Sequence, residues 1–161
     1  MEEKHYIDEK SVPKETEIAL DTLKVGVKLL HPEAKVPKMQ RQGDAAFDLY
    51  AVEDVIIPLK SYAHVSCGIA LEIPPGYKVM INGRSGLALK GIQCHVGTID
   101  ENYKGNIGTI LYNWNDSSYP IKKGDRVGQI SVQKVISTVY QEVQELSSSV
   151  RGAQGFGSSG R

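Results

Sequence analysis

From Val25 onward, apolar residues recur at every second position. Val25, Val27 and Leu29 alternate with smaller or polar neighbours, and Ala63, Val65, Cys67, Ile69, Leu71 and Ile73 continue the period over a longer stretch. A period of two places one side-chain row on a core and the other in solvent, which predicts a strand, or two strands meeting end to end. Cys67 then points inward, as a small apolar side chain rather than a nucleophile. Pro74-Pro75-Gly76 ends this run and turns the chain into a further strand at 77–81. Segments 107–114 and 127–135 are strands by the same pattern, separated by the turn residues Asn115-Asp116 and Lys123-Gly124-Asp125. Short strands, frequent turns and no long helical period in this body predict an all-β sandwich or barrel.

The first 24 residues break the pattern. Glu2, Glu3, Asp8, Glu9, Glu15, Glu17 and Asp21 stand there against four lysines. They form either a solvated extension or a short helix capped by Ser11, with Pro13 in its first turn. The expected organisation is an extension at 1–24, a β domain at 25–146, and a Ser/Gly-rich linker and tail at 147–161. Through 1–24 the chain could also hold a further partner. With 161 residues the chain fits one domain.

Composition narrows the chemistry. Lys+Arg and Asp+Glu both count 19, so there is no excess positive charge to hold long nucleic acid, while a single nucleotide needs only a local cluster of cations. The two cysteines, Cys67 and Cys94, make neither a disulfide framework nor a metal-ligand pair, which points to reduced thiols and a reducing compartment. No apolar run reaches the roughly 20 residues of a membrane span. The charged start is unlike a secretory signal, so the expected location is the cytoplasm, or a host's cytoplasm for a viral or phage chain.

Five segments gather polar, charged and glycine residues between the apolar runs, where binding groups collect. In 43–51, Asp48 enters an apolar strand and needs backbone donors, an arginine or a hydrated metal as partner. In 82–91, glycines flank Arg84-Ser85, so backbone amides, a guanidinium and a hydroxyl could converge on an anion; a tight turn with a surface arginine reads equally well. This is not a Walker A loop, since no lysine precedes the serine. In 97–105 two apolar stretches flank a polar turn, predicting a hairpin, in which Asp100 could orient a water or sugar hydroxyl and Tyr103 could pack on a sugar. In 119–130, Arg126 and Gln129 follow an ordinary Lys-Gly-Asp turn; an arginine there more often ties loops together through aspartates than touches substrate. The last, 151–160, holds four glycines in ten residues with Arg151, Phe156, Ser158 and Ser159, and reads as a tail that orders over a ligand.

In this order the five segments resemble the five signature motifs of the homotrimeric dUTP pyrophosphatase (dUTPase) family, over Val25 to Gly160. The resemblance implies a jelly-roll-like β-barrel of the β-clip type, assembled as a trimer that exchanges its C-terminal tails between subunits. The implied reaction is dUTP plus water to dUMP and pyrophosphate, with Mg2+ held mainly by the triphosphate. Asp100 matches the water-activating aspartate and Tyr103 the tyrosine under the deoxyribose. Arg84, Ser85, Gly86 and Gln129 match phosphate-binding positions, and Asp48 the acid that meets the metal through water. Gly97, Ile99 and Lys104 fall in the substrate-binding third motif. Arg151, Phe156, Gly157, Ser158 and Ser159 match the tail, with the aromatic over uracil. An extended tail from Val150 reaches at most roughly 36 Å, enough to cross to a neighbouring subunit.

Ala46 and Gly83 depart from the usual glycine and proline of the first two motifs, and 93–96 is unusual ahead of the hairpin. The related deaminases need an added glutamate in the base pocket. Glu101 is the only other acid in the turn, and it is expected to be exposed. A regulatory protein of the same fold is the remaining alternative.

Overall fold

A computed structural model describes residues 22–153 and residue 155. The expectations for 1–21 and for Phe156, Gly157, Ser158 and Ser159 lie outside the described residues. The elements run β1 (Gly26–Leu29), β2 (Phe47–Tyr50), β3 (Val55–Ile57), β4 (Ser61–Glu72), β5 (Tyr77–Asn82), α1 (Ser85–Ala88), β6 (Ile92–Cys94), β7 (Gly97–Ile99), β8 (Ile107–Asn113), β9 (Tyr119–Ile121) and β10 (Arg126–Lys134). One four-stranded sheet has the order β1-β4-β8-β6, a second β2-β10-β5-β7, and β3-β9 form a two-stranded ribbon. Every named pair is antiparallel. One hydrophobic cluster joins Val65 and Leu111 of the first sheet, Leu49, Val79 and Val127 of the second, and Ile57 and Ile121 of the ribbon. The all-β, jelly-roll-like expectation holds, as two sheets around a shared core.

The long alternating run is a single strand with a bulge. Residues 61–66 of β4 pair with β8, the register slips between Ser66 and Ile69, and Ile69 to Glu72 pair with β1. Gly68 at the slip has φ +64, and a Cβ there would lie 2.8 Å from both the His31 Cβ and the Val52 Cγ1. A bulge bends the strand and lets it serve two neighbours. Cys67 is buried, as its place in the period requires.

The hairpin expected at 97–105 is not a paired ladder. β7 pairs with β5, whereas β8 pairs with β4 and β6. Ile99 and Ile107 are both buried in the common core but belong to different sheets, so the polar turn between them carries the chain across the sandwich. After β10 the chain leaves the body. Residues 132–153 are all exposed, among them Ile136, Val139, Tyr140 and Leu146.

Candidate active site

Three separate segments build a cleft of about 510 Å³ lined by Asp48, Arg84, Ser85, Gly86, Arg126 and Gln129, with Gln40, Arg41 and Asp44 at its rim. Asp48 reaches it from β2, where it lies opposite Gln129 of β10. In a regular strand Arg126 and Gln129, three apart, would point to opposite faces. The β2–β10 register slips between Arg126 and Gly128, and the bulge turns both side chains into the same cleft.

Asp48 is the hub. Its carboxylate is only 8% exposed, with one oxygen 3.2 Å from Arg84 Nε and the other 3.1 Å from Arg126 Nη1. Its backbone amide donates to the Lys38 carbonyl at 2.9 Å. A carboxylate this buried requires such partners, and two guanidiniums supply them. Arg84 Nη1 also donates to the Arg126 carbonyl at 3.1 Å, and Gln129 Nε2 to the Gly83 carbonyl at 3.0 Å. Arg84 thus commits Nε and Nη1 to the scaffold, which fixes the plane of the guanidinium and the direction of its remaining donors. α1 starts at Ser85, immediately after Arg84. Arg126 ties loops together through Asp48, as its position in the turn suggested, and it also lines the cleft.

A second cleft, of about 270 Å³, holds the third segment. His64, Thr98, Ile99, Asp100, Tyr103 and Asn106 are among its lining residues. Among the described residues the Asp100 carboxylate has no hydrogen-bond or ion-pair partner, while its carbonyl accepts the Tyr103 amide at 3.1 Å to close a tight turn. The Tyr103 hydroxyl donates to the Asn106 carbonyl at 3.1 Å, and the ring lies against Gly105, where a Cβ would come within 2.5 Å of the hydroxyl oxygen and 2.6 Å of Cζ. Asn106 Nδ2 donates to Ser66 Oγ at 2.8 Å, fixing this end of the turn to the β4 bulge.

A family model described as dUTPase matches residues 32–160. The chain belongs to the dUTPase family. It is 45% identical over 139 residues to the deoxyuridine 5′-triphosphate nucleotidohydrolase of Helicobacter hepaticus, covering 84% of this chain and 88% of that protein. It is 42% identical over 142 residues to the protein of the same description from Nautilia profundicola, covering 86% and 100%. Among solved structures, the dUTPase of Staphylococcus bacteriophage 80alpha with dUPNHPP superposes with a TM-score of 0.80 at 29% identity, over 87% of this chain and all (100%) of that one. A mutant dUTPase from phage phi11 of S. aureus, described with the coordination of a structural Mg(II) ion, superposes with a TM-score of 0.70 over 76% and 98%; at 24% identity it speaks for the fold alone.

Set against the family's motifs, the site residues divide. Asp48, Arg84, Ser85, Gly86 and Gln129 share the first cleft, and Ile99, Asp100 and Tyr103 the second, with Gly97 opening β7 opposite Ile81. The two groups are not brought into one cleft within the chain. The Lys104 side chain turns away from both: its Nζ lies 2.9 Å from Glu72 Oε1 and donates to the Glu101 carbonyl at 3.1 Å. Arg151 is exposed and lines neither cleft; its Nη2 reaches the Gly155 carbonyl at 3.4 Å. Asp48, expected to meet the metal through water, has both oxygens engaged by arginines. Gln40 and Arg41 were missed; the polar run Gln40-Arg41-Gln42 just ahead of the first motif was the available signal. Both thiols are buried and their acidity suppressed by desolvation, Cys67 pushed up to about 12 and Cys94 to about 11, which leaves them inert near neutral pH.

Proposed function

We propose that this chain hydrolyses dUTP to dUMP and pyrophosphate, the activity its dUTPase family and curated relatives carry. The observation that carries the mechanism is the Asp100 carboxylate, unpartnered among the described residues, in a cleft with Tyr103, set apart from an arginine-lined cleft whose Arg84 and Arg126 are already braced by Asp48. In-line attack by water on the α-phosphorus needs a base and positive charge at the leaving pyrophosphate. Asp100 is the base: a carboxylate with no partner among the described residues keeps its lone pairs for a water. Arg84, Ser85, the Gly86 amide and Gln129 hold phosphate oxygens. Tyr103 packs under the deoxyribose and leaves no room for a 2′-hydroxyl.

Among the described residues no three acids, histidines or cysteines cluster to make a resident metal site. With Asp48 engaged by two arginines, the donor set fits a magnesium ion that arrives on the triphosphate, Asp48 meeting it only through water. Bound there, the ion would neutralise charge on the phosphates.

The separation of the two clefts favours a site completed between chains, in a homotrimer. The exposed apolar residues beyond β10 support the same reading, since Ile136, Val139, Tyr140 and Leu146 have no cover among the described residues. Arg151, Phe156, Gly157, Ser158 and Ser159 then close a neighbour's site over substrate.

The test is pyrophosphate release from a nucleotide panel with magnesium. Turnover of dUTP with UTP and dTTP far poorer is expected. Equal turnover of UTP would remove Tyr103 from its role, and appearance of a uracil product from dCTP would reassign the chain to the deaminases.

A further inference from the structure

The turn that carries Asp100 is held from behind by a residue outside both clefts. Glu101 Oε2 accepts the Gly76 amide at 2.5 Å. Lys104 Nζ clamps the same turn by bonding the Glu101 carbonyl at 3.1 Å and Glu72 Oε1 at 2.9 Å. Gly76 is a rigid anchor. It follows Pro75 in a turn closed by the Tyr77 amide on the Pro74 carbonyl at 3.2 Å, and its φ of +79 is the left-handed value such a turn requires at this position. The Gly76 carbonyl accepts the Val135 amide at 2.8 Å, at the first residue after β10. One proline-stiffened turn therefore gives its N–H to the catalytic turn and its carbonyl to the root of the C-terminal arm.

We infer that Glu101 is a positioning residue for the dUTPase reaction: its bond to Gly76 fixes the Asp100–Tyr103 turn and couples it to the base of the arm at Val135. A single acceptor on a backbone amide has two consequences. Shape, not charge, is what the anchor needs, so a glutamine can substitute through its carbonyl oxygen. Losing it loosens the orientation of Asp100 more than it weakens substrate binding, because phosphate contacts come from the other cleft and Tyr103 keeps its own bond to the Asn106 carbonyl. A base held less well lowers kcat more than it raises KM.

The experiment compares Glu101→Ala and Glu101→Gln in the full-length chain, measuring kcat and KM for dUTP together with amide hydrogen exchange at Gly76 and Val135. Glu101→Ala is expected to lower kcat roughly fivefold, about the rate equivalent of one net hydrogen bond, with KM within about twofold. Exchange should quicken at both amides. Glu101→Gln should restore most of kcat and of the protection. Unchanged kcat in Glu101→Ala, a loss of the same size in both variants, or quickened exchange at Gly76 alone would overturn the inference. Wild-type inactivity towards dUTP would instead overturn the assigned reaction, so the two failures are distinguishable.

Discussion

The two clefts are stabilised by opposite strategies. In the first, one buried carboxylate braces two cations: Asp48 holds Arg84 and Arg126, and Arg84 also donates to the Arg126 carbonyl. In the second, the Asp100 carboxylate has no partner among the described residues, and neutral hydrogen bonds and close packing around Tyr103 define its surroundings. A leaving pyrophosphate is served best by cations already oriented, since dipoles that need not reorganise stabilise charge most. A general base is served best by lone pairs that nothing in the protein occupies. The first region is therefore expected to serve stability as well as the proposed chemistry, while the central group of the second can be altered with little effect on the fold.

The sharpest way to break this comparison is Asp100→Asn. The variant should still bind dUTP but turn it over at least ~100-fold more slowly, the low end for loss of a general base. Its stability should stay within about 0.5 kcal/mol of the parent, as for an exposed substitution that removes no contact. Steady-state kinetics and a denaturant melt check both halves; near-normal turnover, or a large loss of stability, contradicts the division. Asp48→Ala should do the reverse in stability. Removing one partner of a fully buried ion pair costs about 3–5 kcal/mol, and because Arg126 is 41% exposed the expected loss here is nearer 2 kcal/mol. A melt that moves no more than that of Asp100→Asn would show that the braced cleft is not structural.

The strands were legible because period-two alternation is a direct imprint of one buried face, and β4, β5, β8 and β10 all carry it. What the alternation cannot carry is pairing. Both Ile99 and Ile107 read as core residues, yet nothing local says that they join different sheets. Which arginines brace Asp48 is hidden for the same reason: an arginine was one of the partners the sequence offered it, but Arg84 and Arg126 lie far from it in sequence and only the fold makes them neighbours. Asn113 is the clearest omission. It is buried, with Nδ2 donating to the carbonyls of Ile57, Pro58 and Ser117, and Oδ1 accepting from Asn115 N and Nδ2. The residues that match the family's motifs are legible from their order along the chain, but order does not place side chains: the Lys104 ammonium lies on Glu72.

Within the second cleft, packing should outweigh hydrogen bonding. Gly105→Ala would place a methyl within 2.5 Å of the Tyr103 hydroxyl oxygen, so the ring must tilt. The preference for dUTP over UTP should then fall about tenfold, ~1.4 kcal/mol of discrimination, in competition assays. Retained discrimination would mean that ring position is not what excludes the 2′-hydroxyl.

Ser66→Ala should have the smallest effect. Ser66 Oγ accepts Asn106 Nδ2 at 2.8 Å and the Gly68 amide at 3.3 Å, so its loss frees two donors. Asn106 is exposed, and water can replace the oxygen for its side chain. The Gly68 bond is long and lies at a bulge already fixed by packing against His31 and Val52. The expected cost is therefore about 1 kcal/mol, the net worth of an ordinary hydrogen bond, with turnover within about twofold because the Tyr103 hydroxyl bonds the Asn106 backbone and not its side chain. A loss matching that of Asp48→Ala would erase the contrast, since it would make a neutral contact at the second cleft as structural as the ion pairs of the first.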